Sequence, residues 1–568
     1  MIFKMGKKKK KILAAVAWPY VNGDIHIGHL AGYLFPADIY ARFNRLIGNE
    51  VLMVSGSDCY GTPITLEADK RGIRPEDIVA EYHEKNKRLF QETLKLSFDI
   101  YTKTTTENHH GLVRDAFVRL AGKGFIFRDT ANQYYSESER RFLPDRYVEG
   151  KCPKCGYEEA RSDQCDKCGL LFEQGELLNP RSKVSGTPVI LRPSEHYFLD
   201  WPKLEPFLKE YIDSKRDWRP WVLNETKGWL DNGLRPRAIT RDIDWGVPIP
   251  TDRLPEDLRI EGAEHKRIYV WFEAVMGYLS ATIEWAKINK KDWKEWWYGE
   301  DLLHAYFMGK DNLVFHTLFW PGELHGYDER IHLPDKPFVN QFLNLEGRKF
   351  SKSRGITIDS EYIVRTYGLD PVRFYLASIN PESADTNFAW DDFVAKVNDV
   401  LIGNFGNFIN RTLTLAEGVD LDGVGVDKEV EEKILATFGR AEECLSGGSF
   451  RDYLNTILEL SDFGNKYLSG HEPWKIKKTN PEEFRRVIKN ALFLVEALHI
   501  VSAPLLPETS GKISDMLGVS PVAQWPITRV VEHISETLKR AKISEAAPLF
   551  QKIDPEVAEK ERSRLSSN

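Results

Sequence analysis

KILAAVAWPYVNGDIHIGHLAGYLFPADIYARFNRLIGNEVLMVSGSD, residues 11–58, decides how the chain folds. Ile12–Ala17 is short and apolar, the pattern of a buried β-strand. It leads into the turn Trp18-Pro19-Tyr20-Val21-Asn22-Gly23-Asp24. From about His26 to Ile47 the sequence is amphipathic, and Gly48-Asn49 ends that run as a helix C-terminus does. Glu50–Val54 is short and apolar again, followed by Ser55-Gly56-Ser57-Asp58. Strand, helix and strand with short joins make a βαβ unit, and so a parallel sheet. Such sheets bind ligands at the carboxyl ends of their strands, where His26, His29 and Asp58 fall.

Working outward, strand–helix alternation resumes: strand Arg267–Phe272, helix Glu273–Trp285, strand Leu303–Phe307 and a helix from Asn312. From about Asp391 to the late 530s the pattern is wholly helical, for example Asn398–Leu415, Lys428–Leu445, Phe450–Leu468 and Pro481–Val501. At 568 residues the chain is too long for one core, and about three to four domains are expected. A net charge of −7 argues against wholesale coating of nucleic acid, although a local basic face suffices for an RNA partner. Lys7–Lys11 before Ile12–Ala17 has the order of a signal peptide, but the apolar run is too short and no small-residue cleavage site follows. No stretch approaches the ~20 apolar residues of a membrane span. Six cysteines, four in one short stretch, fit a reducing cytosol.

Two motifs carry the chemistry. In His26-Ile27-Gly28-His29, Gly28 lets a flat ring approach the backbone, and the two histidines share a helical face at a helix start, where phosphate binds well. Four residues alone fit an incidental helix start equally well. Lys349-Phe350-Ser351-Lys352-Ser353, flanked by Gly347 and Gly355, reads as a mobile cationic loop for polyphosphate, or by itself as a solvated basic loop.

Together these are motifs of HIGH and KMSKS form on two halves of a nucleotide-binding sheet, the marks of class I aminoacyl-tRNA synthetases. Within that class the sequence resembles the methionyl-tRNA synthetases along nearly its whole length. The resemblance rests on Ala17–Gly23, on Ser57-Asp58-Cys59-Tyr60-Gly61-Thr62-Pro63-Ile64, on Tyr269–Tyr278, and on Gly309-Lys310-Asp311-Asn312 running to His316. It implies that Ala17, Trp18 and Tyr20 line a methionine pocket and that Asp58 pairs with the α-ammonium. Trp271, Ala274, Val275, Tyr278, Asn312 and His316 would enclose the thioether. ATP would meet His26, Gly28, His29, Gly309, Asp311, Lys349, Ser351 and Lys352, with both histidines and both lysines catalytic. The sequence departs from many members at Trp18 (Leu), Tyr60 (His), Val275 (Pro) and Phe350 (Met).

The cysteines Cys152 and Cys155, then Cys165 and Cys168, form two C-x-x-C knuckles that can share one tetrahedral zinc. Four thiolates leave no open position, so the metal is expected to be structural, as in the family's insertion. In the helical region Asn407 and Arg411 lie four apart on one face, and Trp474 precedes a helix. An amide, a guanidinium and an indole suit unstacked bases, and the resemblance places all three at anticodon-reading positions. Without it, Trp474 reads more naturally as core.

The expected fold is α/β: a Rossmann-type parallel sheet with a zinc-knuckle insertion, followed by an all-α anticodon-binding bundle. Its parts are 1–115 and 236–340 for the two catalytic halves, 116–235 for the insertion, and 341–395 for the KMSKS-type loop and stem contacts. The bundle takes 396–538 and a charged tail 539–568. Expected partners are ATP with Mg²⁺, L-methionine, initiator and elongator tRNA(Met), and one Zn²⁺, in a cytoplasmic monomer. Two alternatives stand beside this reading. The aliphatic synthetases need a larger editing insertion than the one here. A catalytically silent tRNA-binding protein would have no use for the phosphate-binding motifs.

Overall fold

The computed structural model describes residues 9–162, 165, 167–168, 172, 175–350 and 355–567. Five parallel strands form the central sheet: β1 (Lys11–Val16), β2 (Glu50–Ser57), β3 (Ile100–Lys103), β4 (Leu302–Gly309) and β5 (Lys336–Asn340). Their order is β5-β4-β1-β2-β3. Chain order therefore reverses between β1 and β4, and the crevice outside their carboxyl ends is the natural ligand site. Every residue from Ile12 to Val16 is buried, which explains a strand without alternation.

The crossover after β1 is helical from Ile27 to Leu46, but Leu30–Leu34 winds as a π-turn. Gly48 has φ +87°, the left-handed conformation that ends the run. Arg267–Phe272 differs from its strand reading. Only Arg267–Ile268 is extended, pairing with Thr240–Arg241 outside the main sheet, and Val270–Glu273 is already helical. A short apolar run has no periodicity to separate the two, and tertiary packing decides.

Between the catalytic halves, strands Ile126–Ser136 and Ile190–Leu199 pair antiparallel as a long arm that carries the cysteine module. Flanking helices stay with the sheet: Trp201, Leu204 and Leu208 of helix Trp201–Asp213 are buried in the main core. The excursion from the core is thus narrower than 116–235, because amphipathic helices at both ends of that span bury their apolar faces on the catalytic body.

Helices Asn407–Ala416, Lys428–Gly447, Phe450–His471 and Pro481–Ser502 form the bundle. The charged tail returns onto the body of the protein. Leu549, Ile553 and Ala558 are buried, and Val557–Ser567 is a helix. No helix among the described residues is long and apolar enough to cross a membrane.

Candidate active site

Past the end of β1 the chain stays beside β2. Asp58 N–H donates to the Pro19 carbonyl at 3.0 Å, and Val21 N–H to that of Asp58 at 3.3 Å. This extension holds Trp18, Tyr20 and Asp58 together above the sheet. The Trp18 indole lies where glycine alone leaves room: a Cβ on Gly56 would stand 2.4 Å from the ring, and one on Gly277 2.8 Å. Tyr20 meets Trp271 edge-on at 6.4 Å, and Trp271 stacks on Phe315 at 3.9 Å. Ala17, Ala274 and Val275 are buried in the same region.

Tyr278 and His316, both buried, form one hydrogen-bonded chain. His316 Nδ1 lies 2.8 Å from the Asn312 carbonyl, which can only accept, so Nδ1 carries the hydrogen. Nε2 then accepts from the Tyr278 hydroxyl at 2.6 Å. Burial pushes His316 down to about 4, so the ring is neutral at physiological pH. A neutral aromatic wall suits a weakly polar thioether.

Asp58 is buried and accepts the Tyr60 N–H at 3.3 Å. Burial, and then the neighbouring Glu273, raise its pKa well above the usual carboxylate range. Glu273 is itself fully buried, 2.8 Å from His109 Nε2, and His109 Nδ1 lies 2.9 Å from the Ser280 hydroxyl. Burial raises Glu273 and drives His109 down to about 3. Two buried carboxyls, Asp58 and Glu273, therefore act on one another at the crevice.

At the next helix start, the ring of His26 accepts the Gly28 N–H at 3.1 Å, and the ring of His29 accepts the His26 N–H at 3.1 Å. The two rings lie 3.9 Å apart. Phe350 stacks flat on His26 at 4.7 Å, which brings the second motif onto the first. The space of a Cβ on Gly28 is filled by the His26 ring at 2.9 Å, so this glycine lets the imidazole fold back over the helix start. An isolated bridge from His26 to Asp359 ties the segment after the cationic loop to the same place. Lys349 is exposed beside Phe342. Ser351 and Lys352 lie outside the described residues. Gly309 ends β4 with open space where a Cβ would stand, and Asp311 follows within reach of the charges of Lys310, Lys349 and Arg146.

The profile described as tRNA synthetases class I (M) matches residues 12–413, and that of the anticodon binding domain of methionyl tRNA ligase matches 425–568. A methionine–tRNA ligase of Roseiflexus sp. (strain RS-1) is 42% identical over 592 residues, covering 98% of both chains. The chain belongs to the methionyl-tRNA synthetases. The methionine–tRNA ligase of Thermobifida fusca (strain YX) is 42% identical over 90% of this chain and 86% of its own. In fold, the enzyme is similar to a Mycobacterium tuberculosis methionyl-tRNA synthetase solved with methionyl-adenylate. The TM-score is 0.75 and the identity 24%, over 96% of this chain and all of that one.

Two further side-chain clusters lie away from the crevice. The sulfurs of Cys152, Cys155, Cys165 and Cys168 all lie within 4.8 Å of one another. Cys152 and Cys168 stand 3.8 Å apart, Cys155 and Cys165 3.6 Å. Zinc–sulfur bonds of about 2.3 Å in a tetrahedron put sulfurs about 3.8 Å apart. The cysteines are free, and these spacings far exceed the about 2.05 Å of a disulfide. In the bundle, Trp474 is 44% exposed, with the Arg411 guanidinium 5.1 Å from its ring. Asn407 is exposed on the same helix as Arg411 and donates to Asn465 at 3.4 Å. The core reading of Trp474 gives way to a surface one.

Sequence reasoning passed over Glu273, His109, Arg241 and Trp245. Arg241 stacks on the Tyr269 ring at 3.8 Å, and Trp245 Nε1 donates to the Cys59 carbonyl at 2.8 Å. Both line a cleft with Tyr60, Thr62, Pro144 and Tyr269. Glu273 sits inside the Tyr269–Tyr278 stretch, and its charge in an apolar run was the signal available. His109 lies 164 residues away from it and gave none.

Proposed function

We propose that this crevice activates L-methionine with ATP to methionyl-adenylate and that the enzyme then transfers the methionyl group to the 3′-terminal adenosine of tRNA(Met), initiator and elongator alike. The methionine carboxylate attacks the α-phosphorus, and pyrophosphate leaves. That carboxylate is already ionised, so the protein supplies alignment and charge stabilisation in place of a general base. Asp58 receives the α-ammonium. Its burial beside Glu273 supports this, because both raise the pKa of Asp58 and an arriving cation offsets that unfavourable surrounding. Tyr20, Trp271, Tyr278 and His316 enclose the side chain, with Ala17, Trp18, Ala274, Val275 and Asn312 around them. His26 and His29 meet the ATP phosphates, Gly309 and Asp311 the adenosine, and Lys349 and Lys352 the departing pyrophosphate. Mg²⁺ accompanies ATP. The four cysteines would hold one zinc, which shapes the insertion. Asn407, Arg411 and Trp474 would read the anticodon.

The observation that carries this reading is the neutral Tyr278–His316 chain beside buried Asp58, at the switch point of the sheet. The experiment is ATP–pyrophosphate exchange against each of the twenty amino acids. Exchange with methionine is expected, and exchange driven by another amino acid in its place overturns the reading.

A further inference from the structure

Lys266 is a lysine only 6% exposed. Its Nζ pairs with Asp242 Oδ1 and donates to the Ser194 hydroxyl at 2.7 Å. The other Asp242 oxygen accepts from Ser194 Oγ at 2.9 Å and lies 3.0 Å from His196 Nε2. His196, fully buried, has its Nδ1 3.0 Å from Thr240 Oγ1, and Thr240 also accepts the Tyr197 N–H at 3.1 Å. Ser194 and His196 belong to the insertion arm, midway along its ladder, whereas Asp242 and Lys266 belong to the second catalytic half. Buried charge is costly unless paired, which favours the geometry that keeps Lys266 and Ser194 on Asp242.

That geometry has consequences on both sides. Asp242 directly follows Thr240–Arg241, the strand that pairs with Arg267–Ile268 and presents Arg241 to Tyr269. Beyond the arm, Pro144 lines the cleft together with Tyr60, Arg241 and Tyr269. Arg146 lies close enough for its charge to act on Tyr20 and Asp311. The far end of this cover has its own anchor, since Tyr147 donates to Asp69 at 2.9 Å and Arg141 pairs with Asp69 at 3.2 Å. The arm is thus tied to both catalytic halves.

We propose that Asp242 is a positioning residue: with Lys266, His196 and Ser194 it fixes the insertion arm so that the Pro144–Tyr147 turn closes the cleft, and so sets the affinity for methionine. The proposal rests on the reading of the crevice as a methionine-activating site. A wild-type enzyme without methionine-dependent exchange would defeat that reading, and variants are compared only with an active wild type. Asp242→Asn keeps the shape of the side chain and removes the charge. It should raise the methionine KM about tenfold with kcat within about twofold, while zinc content stays at the wild-type level. Amides of 145–147 should exchange hydrogen faster, and those of β1 at an unchanged rate. Asp242→Glu should recover part of the affinity. If Asp242→Asn does not fold, Ser194→Ala carries the test, because it leaves the Asp242–Lys266 pair and the His196 contacts intact and removes one of the links to the arm; the same KM shift in smaller measure is expected. A folded variant with wild-type KM and unchanged exchange at 145–147 overturns the proposal. A loss confined to thermal stability overturns it equally, since it assigns the network to scaffolding alone.

Discussion

Tyr278, His316 and the Asn312 carbonyl form a chain in which each hydrogen has one place to go. Tyr278→Phe removes the donor to His316 Nε2 and leaves a buried acceptor unsatisfied, at a cost of about 1–3 kcal/mol. The phenyl ring keeps its edge contact with Tyr306 at 5.1 Å, so the fold should hold. If the chain shapes the thioether pocket, the methionine KM rises about tenfold and kcat changes little. Exchange kinetics at varied methionine separate the two constants. A fall in kcat at constant KM would instead place Tyr278 in the chemistry and refute a purely pocket role. Trp18 shows how a departure from the family pattern is accommodated. Its indole takes space that side chains on Gly56 and Gly277 would occupy, so three positions far apart in sequence act as one.

Among elements, the cysteine module was the most legible, because metal geometry constrains residue type and spacing more tightly than packing does. Cys155→Ser should lower zinc from one equivalent per chain and loosen the insertion, leaving the sheet folded. Elemental analysis and near-ultraviolet circular dichroism would follow the two effects, and a metal-free native enzyme of full activity would refute the assignment. The βαβ unit was also readable, since a buried parallel strand and an amphipathic crossover write themselves into hydropathy. The winding of the helices escaped. Leu30–Leu34 directly follows His29, Phe315–Phe319 contains His316, and Lys396–Gly406 precedes Asn407, all as π-turns. Such a turn inserts one residue and rotates the remainder of the helix, which periodicity over a short window does not register. The contacts of His109 with Glu273, and of Asp242 with His196, were equally hidden, because they join residues brought together only by the finished fold.

The whole molecule separates two tasks in space. The crevice lies on the parallel sheet, and Arg411 with Trp474 lies in the bundle. The chain's end ties the bundle side back to the catalytic side: Glu561 accepts from Tyr362 at 2.6 Å and from Tyr367 at 2.9 Å, on the helix after the cationic loop. Trp474 is half exposed, so Trp474→Ala removes a surface that offers stacking without opening a core cavity. Methionine-dependent exchange should therefore stay near the wild-type rate. Losing one base–aromatic stack costs about 1–3 kcal/mol, about tenfold or more in aminoacylation efficiency. Discrimination against tRNAs with altered anticodons should also weaken, because Arg411 loses the ring that holds its guanidinium. Aminoacylation and exchange measured on one preparation decide the matter. Should both fall together, the indole supports the fold and the surface reading fails. Should neither fall, the anticodon is read by other residues.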